Sequence, residues 1–127
     1  MAKECLCNKN GDVLVFPCSG GSNCGQIANQ VALEITEDGI GTIFCLAGVG
    51  ANIASIVDAA KTAKRIIAVD GCSVGCAKKI LNNAGLNITD HIDITQEGIT
   101  KNNKFKLSQQ DVFFITKRVR QELKKEK

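Results

Sequence analysis

The chain has 127 residues, the size of one ordinary domain with its own core, and we read 1–127 as a single domain. Its 16 basic and 13 acidic residues leave a net charge of +3, and it has no Trp or Tyr and five Phe, so nucleic acid is not an expected partner. The polar start Met1-Ala2-Lys3-Glu4-Cys5 has no signal-peptide apolar region and no apolar run reaches the length of a membrane span, which points to the cytoplasm and away from a membrane.

Seven cysteines are many for this length, and the number is odd. In a reducing compartment that favours metal binding or thiol chemistry over a disulfide framework. In the first segment, Cys5 and Cys7 stand two apart, so in an extended chain both point the same way and can grip one ion.

Val13-Leu14-Val15-Phe16 is a continuous apolar run, the pattern of a strand covered on both faces, and Pro17 closes it. The small-residue loop Cys18-Ser19-Gly20-Gly21-Ser22-Asn23-Cys24-Gly25 follows. Ile27, Ala28, Val31, Ala32 and Ile35 then recur at helical spacing, and Gly39 is a stop signal. Thr42 to Leu46 reads as the second strand and Ala47 to Asn52 as another loop of small residues. Ile53, Ile56, Val57, Ala60 and Ala63 mark a second helix.

Ile66 to Val69 is the third strand, broken at Asp70-Gly71, with Cys72 next and a helical pattern starting soon after and ending at Ala84-Gly85. Cys76 lies about one helical turn beyond Cys72, so both thiols can face one point near the positive end of the helix. Asp70 reads as a turn residue. His91-Ile92-Asp93-Ile94 alternates and reads as an edge strand; His91, the single histidine, reads as structural. Gly98 to Lys106 is a polar, basic loop. Ser108 with Asp111 makes a capping pattern before a last helix whose apolar stripe is Val112, Ile115, Val119 and Leu123.

Strands alternating with helices predict an α/β fold, a small flavodoxin-like (Rossmann-like) domain with a mainly parallel four-stranded sheet in the order 2-1-3-4. Ligands of such sheets bind outside the carboxyl ends of the strands, where the order reverses. Cys18, Cys45 and Cys72 each end a strand there, and Cys76 joins them through the third turn. A tetrahedral zinc with Zn–S bonds of about 2.3 Å needs sulfurs roughly 3.8 Å apart. Neighbouring strands are about 4.8 Å apart, so Cys18 can meet Cys72 and Cys76, whereas Cys45 has to lean inward. Four-thiolate and three-thiolate sites both suit the spacing. A Cys-x5-Arg phosphatase loop would lack its main cation here, because its Arg position is Cys24.

Phe16-Pro17-Cys18-Ser19-Gly20 with Gly25-Gln26-Ile27-Ala28-Asn29, then Cys45-Leu46-Ala47-Gly48-Val49-Gly50, then Val69-Asp70-Gly71-Cys72-Ser73-Val74-Gly75-Cys76-Ala77-Lys78-Lys79 together resemble the DGC-domain family, described as zinc-binding. The resemblance implies zinc held by Cys18, Cys45, Cys72 and Cys76, the same four that the strand ends select. Cys24, Cys5 and Cys7 are additional candidate ligands. The reading carried forward is a zinc-binding protein whose partner is the metal ion. The alternative is a redox, persulfide-carrier or iron–sulfur protein that uses the same thiols.

Overall fold

The computed structural model describes residues 12–125. β1 (Val13–Pro17) lies at the centre of the sheet, and four of its five residues are buried. β3 (Arg65–Asp70) pairs with it from Val13 against Arg65 to Pro17 against Val69. β2 (Thr42–Ile43) flanks β1, and β4 (Asp90–Asp93) flanks β3. All pairings are parallel and the order is β2-β1-β3-β4, as the alternation of apolar runs predicts.

Side chains alternate across the sheet, so each strand serves two cores. Val15, Ile67, Val69 and Ile92 face α1 (Asn23–Glu37) and α5 (Gln109–Lys124). Leu14, Phe16, Ile66 and Ala68 face α2 (Leu46–Gly50), α3 (Ala54–Lys61) and α4 (Cys76–Asn83). The predicted stripe of α1, from Ile27 to Ile35, is buried throughout. Ser22 caps that helix by accepting from the Gly25 N–H, and Ser108 caps α5 by accepting from the Asp111 N–H. Beyond α1 the chain turns through Gly39 at φ 73°, a conformation that glycine adopts without a Cβ penalty.

The second strand is shorter than the apolar run suggests. Its ladder ends at Ile43, although the Phe44 N–H still bonds to the Val15 carbonyl at 3.0 Å. The following small-residue segment is the helix α2 instead of a loop. Ile56 packs so closely on Gly48 that a Cβ there would require the Ile56 side chain to shift. Tertiary packing of a residue without a side chain therefore outweighs its weak helix propensity.

At the amino ends of β3 and β4, Arg65 makes a bidentate pair with the buried Asp90 (2.9 Å) and donates from its guanidinium to the carbonyls of Glu122, Leu123 and Lys125 at the end of α5. Among the described residues, no helix is long and apolar enough to cross a membrane.

Candidate functional site

The chain leaves β1 towards α1 on one face and leaves β3 towards α4 on the other, so the crevice between these two strand ends is the switch point of the sheet. Cys18 follows β1 directly. Its N–H bonds to the Val69 carbonyl at 3.0 Å, and its Sγ accepts the Gly71 N–H at 3.3 Å. Cys45, two residues beyond β2, is the exposed N-cap residue of α2. Cys72 lies two residues beyond β3 and is half-buried; Cys76 opens α4 and is exposed. Three adjacent strands thus deliver a cysteine to one edge. Cys5 and Cys7 lie outside the described residues.

Glycines let the two loops cross in backbone contact. A Cβ on Gly71 would lie 2.7 Å from the Gly25 nitrogen and 2.8 Å from the Cys24 carbonyl carbon, and one on Gly25 would lie 2.6 Å from the Gly20 nitrogen. The glycine of Asp70-Gly71-Cys72 is required for this close approach.

Cys72 and Cys76 do not share a helical turn, which corrects the spacing argument. The Gly75 N–H bonds to the Cys72 carbonyl at 3.1 Å, Gly75 adopts φ 69°, and α4 starts only at Cys76. Two of the first N–H groups of α4 are also taken. Asp70, 1% exposed, accepts from the Ala77 N–H at 2.7 Å and from the Lys78 N–H at 3.2 Å. Its Oδ2 also meets His91 Nε2 at 2.8 Å. Asp70 is therefore the anion at the helix N-terminus and the partner of His91, not a simple turn residue. The pair spans 21 positions, and no local pattern announces it.

The cation beside the thiols comes from the basic loop. Lys101 Nζ donates to Cys72 Sγ at 3.4 Å. The loop is clamped over the start of α1: Asn23 Nδ2 donates to the Thr100 carbonyl, and Asn102 N–H donates to Asn23 Oδ1 at 2.6 Å. Cys24 sits under this clamp, fully buried, with its Sγ 3.9 Å from the Ile99 carbonyl.

Burial is the main cause that raises the Cys18 thiol above its ordinary range. The N–H groups of Gly20 and Gly71 oppose it, while Asp70 and Cys76 add to it. Cys18 and Cys45 share the wall of a cavity of about 570 Å³ with Pro17, Phe44, Leu46 and Ile80. Four uncrosslinked thiols suit a borderline-soft ion such as zinc in donor chemistry. Their side chains are not assembled around one point: among the described residues, no three His, Cys, Asp or Glu side chains form a group that could hold a metal ion.

The model of the DGC domain matches residues 14–119, a span that contains all four cysteines. The chain belongs to the DGC-domain family. It is also similar to the anaerobic and virulence modulator AnvM of Pseudomonas aeruginosa, with 35% identity over 88 residues, 69% of this chain and 67% of that protein. No solved structure gives a significant match.

Proposed function

We propose that this DGC domain binds zinc through Cys18, Cys45, Cys72 and Cys76. The observation that carries the reading is the delivery of Cys18, Cys45 and Cys72 by three adjacent parallel strands to the switch-point edge, with Cys76 one short turn away. Cys18 is held by the Gly71 N–H, whereas Cys45 and Cys76 are exposed at helix starts. Binding on this reading is coupled to closure of those side chains, since thiolates gathered in advance would repel each other without the ion. The similarity to a protein named as an anaerobic and virulence modulator is compatible with a sensing or delivery role for the ion in the cytoplasm.

Metal analysis and a visible spectrum of anaerobically purified protein test the reading. One equivalent of zinc and a colourless solution are expected. Visible absorption with bound iron would replace zinc by an iron–sulfur cluster, and protein without metal after zinc loading would refute a metal site.

A further inference from the structure

Cys24 takes no part in the proposed zinc set, yet it lies against the same turn. The backbone one residue before Cys72 touches the Cys24 backbone so closely that a Cβ on Gly71 would lie 2.8 Å from the Cys24 carbonyl carbon. One short segment of loop reaches both sulfurs. The Ile99 carbonyl faces Cys24 Sγ at 3.9 Å, and the Lys101 ammonium lies 3.4 Å from Cys72 Sγ. Cys72 is half-buried, whereas Cys24 has no exposed surface.

We propose that Cys72 and Cys24 form a dithiol pair that exchanges with low-molecular-weight disulfides, Cys72 as the attacking sulfur and Cys24 as the resolving one. This goes beyond zinc binding and does not depend on it. In the first step the Cys72 thiolate attacks one sulfur of R–S–S–R. A Cys72–S–S–R bond forms, the R–S–S–R bond breaks, and R–S⁻ leaves beside Lys101, whose ammonium stabilises the departing charge. In the second step Cys24 gives its proton to that R–S⁻ and attacks Cys72 Sγ. The Cys24–Cys72 disulfide forms and a second R–S⁻ departs. Two electrons pass from the pair to the small disulfide, which ends as two thiols.

The division of roles follows from position. A partly exposed sulfur beside a cation meets the small disulfide before a fully buried thiol, which is shielded from it until the mixed disulfide forms next to it. A disulfide needs Cα atoms about 4.4–6.8 Å apart, and the residue before Cys72 lies in backbone contact with Cys24.

The test incubates reduced, metal-free full-length protein with glutathione disulfide, quenches with acid and alkylating agent, and maps the linkages by mass spectrometry with fragmentation. The wild type is expected to accumulate the Cys24–Cys72 link and to release two glutathiones per link. Cys24→Ala, with its fold checked by circular dichroism, is expected to trap glutathione on Cys72, and Lys101→Met to form that adduct several-fold more slowly. A stable glutathione adduct on Cys72 in the wild type would overturn the proposal. So would adducts confined to Cys45 and Cys76, or an adduct rate at Cys72 indifferent to Lys101→Met.

Discussion

Cysteine position in this chain sets reactivity residue by residue. Cys45 and Cys76 are exposed, Cys18 and Cys72 are half-buried, and Cys24 has no exposed surface. The thiolate is the species that alkylates. In metal-free protein Cys45 and Cys76 are therefore expected to be modified first by iodoacetamide and Cys24 last; peptide mapping over a time course checks the order. Labelling of Cys24 ahead of Cys45 would contradict the burial. The same burial gives stability a pH dependence. Cys18 and Cys24 have folded-state values raised above the ordinary 9.0. A raised value means that the folded form keeps its proton where the unfolded form has lost it. Their contribution is full below about pH 8.5 and is lost as pH rises through the folded values. Urea midpoints are expected to fall from pH 8 upwards more steeply in the wild type than in Cys24→Ala. Arg65 is the opposite kind of residue, a half-buried cation paired with the buried Asp90 carboxylate. Arg65→Met leaves the Asp90 carboxylate buried without its cation and is expected to cost about 3–5 kcal/mol by denaturant unfolding, part of which Arg65→Met with Asp90→Leu recovers.

Elements announced themselves in the sequence where periodicity is a property of the fold's surface against its core. Val13 to Phe16 is continuous because both faces of β1 are covered, and the stripe from Ile27 to Ile35 is helical because one side of α1 lies on the sheet. These signals are local and legible. α2 was not legible, because Ala47-Gly48-Val49-Gly50 has the composition of a loop and becomes helical through packing on Ile56. The Asp70–His91 pair, the Lys101–Cys72 contact and the Asn23–Asn102 clamp join residues far apart in the chain. Nothing in their local sequence records the partner. The placement of Cys18, Cys45 and Cys72 at one sheet edge was legible because strand ends and strand order together fix which residues share an edge. Gly71 was legible as a turn residue, but its actual constraint, contact with Cys24 and Gly25, emerges only from the crossing of the two loops. Gly71→Ala places a methyl against backbone that cannot swing aside and is expected to cost about 3 kcal/mol or more. Thermal or urea unfolding measures it; an effect below 1 kcal/mol, an order-of-magnitude threshold, would show that the loops can separate.

Over the whole molecule the sheet works as a ruler that sets three cysteines side by side, and the two faces of helices hold it rigid. Arg65 closes the amino edge, where no cysteine lies among the described residues, and the carboxyl edge carries Cys18, Cys45, Cys72 and Cys76. Cys72 and Cys76 come from one short turn, so holding them together costs less loop entropy than bringing in Cys45 from beyond the central strand. Zinc retained after dialysis against a weak chelator, compared across serine variants, tests this arrangement most directly. Cys72→Ser and Cys76→Ser are expected to lose stoichiometric zinc, Cys18→Ser and Cys45→Ser to bind it more weakly, and Cys5→Ser with Cys7→Ser to retain it. Zinc kept in Cys76→Ser but lost in Cys45→Ser, or lost with Cys5 and Cys7, would contradict a site built on the Asp70-Gly71-Cys72 turn.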